Sequence, residues 1–88
     1  DLYDFAANVE GSQKIYDILK TDLNQKDAAL EKQIGERFTA LQQELAPFKD
    51  GEGYVSYTKL KPEEIKKLSQ NLDALAEPLS QMGKLLGV

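Results

Sequence analysis

The sequence predicts an all-α fold, an antiparallel up-down bundle of three long helices over about residues 1–20, 28–45 and 62–86. Three observations predict it. Apolar residues recur in alternating steps of three and four through most of the 88 residues, the stripe of an amphipathic helix. Helix-breaking residues gather in one stretch, Ala46 to Pro62, with a proline near each end and Gly51 and Gly53 inside. The connections this leaves are short enough for neighbouring helices to run antiparallel.

The first helix carries Leu2, Phe5, Val9, Ser12, Tyr16, Leu19 and Leu23 on one face, interrupted by Gly11. Thr21 to Lys26 reads as a connection, with Asp27 as the N-cap of the second helix. That helix has the inner stripe Leu30, Ile34, Phe38, Leu41 and Leu45, interrupted by Gly35. Glu10 with Lys14, and Lys32 with Glu36, are spaced for i,i+4 pairs on outer faces.

The organising loop, residues 46–61, follows. Pro47 disfavours helix at Ala46, Asp50-Gly51-Glu52-Gly53 supplies a turn, and Tyr54-Val55-Ser56-Tyr57 is an extended aromatic patch. A calcium-loop reading of this stretch fails. With Gly53 as the turn glycine, Phe48 falls on the first ligand place and Lys59 on the terminal glutamate place. Pro62 suits the first position of the third helix, whose stripe is Ile65, Leu68, Leu72, Leu75, Leu79, Met82 and Leu86. Pro78 should kink this helix without ending it, and Gly87 should close it.

Composition excludes several functions. The net charge is −4, and Lys66-Lys67 is the only adjacent basic pair, which argues against nucleic acid. No apolar run approaches the ~20 residues of a membrane span. With neither histidine nor cysteine, the chain lacks the ligands of a zinc peptidase and the usual general base. No nucleotide or nucleophile motif is present, and the chain is read as a non-enzyme. The opening on Asp1 without methionine reads as a processed product or a fragment. Three stripes in so short a chain make a core only marginally able to offset conformational entropy, which missing partner helices would explain.

The candidate site lies at the start of the first helix. At 100° per residue, Asp1, Asp4, Asn8, Gly11, Ile15 and Ile18 share a stripe beside the core face. Ile15 and Ile18 are expected to be core, so the polar residues on the same line would sit at an open end of the bundle or face something polar inside it. Inward carboxylates are how metal sites in helical bundles are built. Asp1, Asp4 and Asn8 are therefore candidate oxygen ligands, too few for a complete site. Against this stands a plain alternative: Asp1 is an N-cap and Asp4 a first-turn acid favoured by the helix dipole.

Three segments, DLYDFAANVEG, GYVSYTKLKPEE and LSQNLDALAEPLSQ, together resemble the C-terminal part of the imelysin-like family, which includes the EfeO-type periplasmic iron-uptake proteins. The resemblance spans the whole chain in order. It implies a single helical segment, residues 1–88, from the C-terminal part of a larger pair of four-helix bundles. It further implies a periplasmic protein that binds iron or another divalent metal and hands it to a membrane permease. The family's His-x-x-Glu motif is absent, so the main ligands would lie in the N-terminal half of the same protein, its expected partner. Asp4, Asp1 and Asn8 would then only support that site. Alternatives are a free-standing helical interaction module, or an imelysin-like relative that binds acidic polysaccharide.

Overall fold

The computed structural model describes residues 2–51 and 53–88, and only the backbone of residue 57. Three helices form the frame: α1 Leu2–Lys26, α2 Ala28–Leu45 and α3 Pro62–Leu86. They pack into an elongated body of 42 × 24 × 18 Å with α2 as the central element, lying along both neighbours, while α1 and α3 touch only sparsely. The all-α bundle class expected from the stripes is what forms.

α1 is longer than the sequence suggested. The expected connection Thr21 to Lys26 is helical, leaving Asp27 as the sole hinge residue between α1 and α2. Leu23 explains the extension. It continues the buried stripe and is completely buried, so the helix gains more by running on to Lys26, nearly two further turns, than by ending at Lys20. Asp27 is the N-cap, as expected: its Oδ1 accepts a 3.0 Å hydrogen bond from the amide of Leu30.

After Leu45 the chain tightens into a 3-10 turn, Ala46–Phe48, around Pro47. A minimal antiparallel ribbon follows, with β1 Lys49–Asp50 and β2 Gly53–Tyr54 in the register Lys49 to Tyr54 and Asp50 to Gly53. Gly51 adopts φ +61°, a left-handed conformation that glycine enters without steric cost. Below the ribbon, Leu60 is buried with Leu2, Ala6, Leu45 and Leu68. The loop thus closes one end of the bundle over the first turns of α1.

α3 begins at Pro62, with Glu64 Oε1 accepting a 2.7 Å hydrogen bond from the Lys61 amide. It runs unbroken through the buried Pro78 and ends where Gly87 turns left-handed at φ +72°. The main core joins Val9, Tyr16 and Leu23 of α1, Leu30, Ile34, Phe38 and Leu41 of α2, and Leu75 and Met82 of α3. Tyr16 and Phe38 meet at a ring-centroid distance of 5.5 Å. Apart from the Tyr16 phenol, no polar or charged side chain is buried among the described residues.

Two further expectations are corrected. Ile15 and Ile18 are not core, being 57% and 78% exposed. Their stripe lies beyond the arc of α1 that α2 and α3 cover, so hydrophobicity there is not burial within this chain. On the outer faces, Glu10 and Lys14 pair at 3.4 Å, but Lys32 and Glu36 do not. Two exposed long side chains gain too little from pairing to fix one geometry.

Candidate functional site

The first two turns of α1 carry the oxygen donors singled out from the sequence. Asp4 and Asn8 are one turn apart on an exposed stripe, a spacing that sets their Cβ atoms about 5–6 Å apart. Asp1 lies outside the described residues. The helix direction places Asp4 in the first turn, where the unpaired amides of the helix start favour a carboxylate.

Asp4 and Asn8 offer hard oxygen donors of the kind divalent cations and ferric iron accept. Their number is insufficient. Among the described residues, no three side chains of the His, Cys, Asp and Glu types come close enough together to hold an ion. A closed metal site therefore needs donors beyond those described here.

Beside this stripe the ribbon leans on α1 and leaves a cleft of about 290 Å³. Tyr3, Ala6 and Glu10 line it from α1, and Lys49, Gly53 and Tyr54 line it from the ribbon. The cleft joins one acid, one base and two phenols at the surface. Sequence reading noted Tyr54 within an aromatic patch, but nothing in the spacing brought Lys49 to Glu10. That juxtaposition depends on the loop folding back over α1.

The best-defined polar contacts lie along the α1–α2 seam. Tyr16 Oη sits 3.3 Å from both the backbone carbonyl and Oε2 of Glu31. Gln42 Nε2 donates to Gln13 Oε1 at 3.0 Å. Burial first, then the nearby Glu31 carboxylate, hold the Tyr16 phenol above its ordinary pKa. A phenol that keeps its proton serves as a hydrogen-bond donor in the seam, a structural role.

Fold and site together define a helical frame: a bundle layer with a few oxygen donors at one end and no assembled ligand set among its described residues. The chain belongs to the imelysin family, whose model matches residues 1–82. It is 46% identical over 82 residues to an Efem/EfeO family lipoprotein of Staphylococcus haemolyticus (strain JCSC1435), covering 93% of this chain and 29% of that protein. An Efem/EfeO family lipoprotein of Staphylococcus aureus (strain USA300) is also 46% identical, over 83 residues, with 93% and 29% covered. The chain thus spans less than a third of the length of these relatives. No solved structure gives a significant match.

Proposed function

We propose that these residues are part of the helical frame of a longer carrier that binds iron, or another divalent metal, outside the cytoplasm. The observation that carries this reading is the 46% identity to Efem/EfeO lipoproteins over 93% of the chain. The lipoprotein description of these relatives supports a position outside the cytoplasm, since a lipoprotein is held at a membrane face by its lipid.

The metal is cargo, and its main ligands lie elsewhere in the longer protein. Two features support that division: the sequence has no histidine or cysteine, and Asp4 and Asn8 alone are too few to enclose an ion. Asp4 and Asn8 contribute oxygen donors, or a negative field, near the bound ion. The remainder of the protein is the first partner, and a membrane iron permease is the recipient. The activity is binding and transfer, without bond cleavage.

A second reading, a helical module that recruits a partner, draws on the exposure of Ile15 and Ile18. The two are separated by ferrous-ion binding to the full-length protein, which only the carrier reading expects, and Asp4→Ala in that protein tests the part given to Asp4. The carrier reading expects weaker ferrous-ion binding with helicity intact. Unchanged affinity would leave Asp4 as a first-turn acid and nothing more.

A further inference from the structure

We propose that the Asp50-Gly51 bond, where β1 enters the turn of the ribbon, is a site of spontaneous backbone modification: the Asp50 side chain closes on the Gly51 amide as a cyclic imide, which reopens in part as isoaspartate. This goes beyond the carrier reading and does not rest on it.

Elimination leads to this one position. Ring closure needs the backbone at the aspartate to rotate, and it needs little bulk on the residue that follows. Asp4, Asp17 and Asp22 lie within α1 and Asp73 within α3, where the helical dihedrals are held in place. Asn8, Asn24 and Asn71, which could close the same ring by losing ammonia, are helical too. Asp27 lies outside a helix, but its Oδ1 accepts from the Leu30 amide and its neighbour is Ala28. Among the described residues, Asp50 alone is an exposed aspartate outside a helix and followed by glycine.

The turn leaves the attacking nitrogen open. Gly51 sits at φ +61°, and a Cβ built on it would meet nothing within 4 Å, so neither a side chain nor a neighbour crowds its amide. Rotation at Asp50 is resisted by a ribbon of two residue pairs, Lys49 with Tyr54 and Asp50 with Gly53. A two-stranded ribbon is marginal by itself and opens locally at little cost. In the closing step the Gly51 nitrogen attacks Asp50 Cγ. The N–Cγ bond forms, the Cγ–OH bond breaks, and the hydroxyl leaves with the amide proton as water. Water then adds back to the ring. Addition at Cγ restores aspartate. Addition at the backbone carbonyl frees that carbon as a carboxylate, and the chain now runs on through Cβ and Cγ. Nothing is oxidised or reduced, and the water lost is the water regained. The main chain is longer by one carbon beside the Asp50–Gly53 pair, a change that the ladder cannot absorb in register. The cleft wall formed by Lys49, Gly53 and Tyr54 then shifts against α1.

The test ages the full-length protein in mildly acidic buffer, where more of each carboxyl carries the proton that leaves with water. Its peptides are then mapped by electron-transfer fragmentation, which tells isoaspartate from aspartate. Isoaspartate, preceded by an imide one water lighter, should accumulate at Asp50 roughly ten-fold or more faster than at Asp4, Asp17, Asp22, Asp27 or Asp73. Asp50→Asn closes the same ring by releasing ammonia and should convert at neutral pH. Asp50→Glu keeps the charge but needs a larger, slower-closing ring, and should stay intact. In the converted fraction the Val55 amide, which donates to the Phe48 carbonyl at 2.9 Å, should exchange with deuterium several-fold faster. Conversion at Asp50 no faster than at the helical aspartates overturns the proposal, and so does an Asp50→Asn variant that keeps its amide. Unchanged exchange at Val55 overturns the shift of the ribbon.

Discussion

Tyr16 and Gly35 share one space: a Cβ built on Gly35 would lie 2.8 Å from Tyr16 Oη and 3.7 Å from Cζ. The glycine in the middle of α2 is thus the counterpart of a phenol on α1. The hydroxyl passes over the bare backbone to reach Glu31, and the ring stacks at a tilt on Phe38.

This contact predicts a sign reversal. Gly35→Ala gains about 1 kcal/mol of helix propensity, but forcing a methyl against the phenol costs about 1–3 kcal/mol, so the variant should be neutral to destabilised by about 2 kcal/mol. In the Tyr16→Phe background the nearest remaining ring atom is at ordinary contact distance, and the same substitution should stabilise by up to about 1 kcal/mol. Urea unfolding of the two single variants and the double variant reads the coupling. Additive effects would mean the two residues do not compete for space.

Gly11 is the internal control. A Cβ there meets nothing within 4 Å, so Gly11→Ala should raise stability by about 1 kcal/mol. A loss on thermal unfolding would show that another element approaches this face of α1.

Asp27 alone separates two long helices, so its cap is worth testing. Asp27→Ala removes the acceptor for the Leu30 amide and should cost about 1 kcal/mol, whereas Asp27→Asn should retain most of the stability. Equal losses in both would place the effect in the charge and not in the hydrogen bond.

Alkaline stability carries a further expectation. The Tyr16 phenol titrates above its ordinary value of 10.0 in the folded protein, because of burial and the adjacent Glu31. A folded pKa above the unfolded one contributes stability that is fully present below pH 10 and lost as pH rises through the folded value. Unfolding followed from pH 8 to 11.5 should therefore show a steeper loss above about pH 10 in the parent than in Tyr16→Phe. Parallel curves would assign the loss to other groups.

The helical framework was legible because burial follows the three-four spacing: Leu2, Val9 and Tyr16, then Ile34, Phe38 and Leu41, then Leu68, Leu75 and Met82 are all buried. Punctuation was legible where one residue dictates the backbone, as at Asp27, Pro62 and Gly87. The end of α1 was misplaced because Thr21 and Asp22 look like a connection locally, while buried Leu23 holds the helix together through tertiary contact. Ile15 and Ile18 were misplaced for a different reason. Hydropathy shows that a face avoids water, not whether this chain supplies the cover. Gly35 was unexplained until Tyr16 was placed across from it. For the site, the oxygen donors of α1 were visible as a stripe, but the approach of Lys49 and Tyr54 to Glu10 arises only from the return of the loop.

The most direct measurement is an anaerobic titration of ferrous ion, run in parallel on these 88 residues and on the full-length protein. The account predicts stoichiometric binding by the full-length protein and weak or no binding by the 88 residues. Tight one-to-one binding by the 88 residues alone would contradict it, as would no binding by the full-length protein.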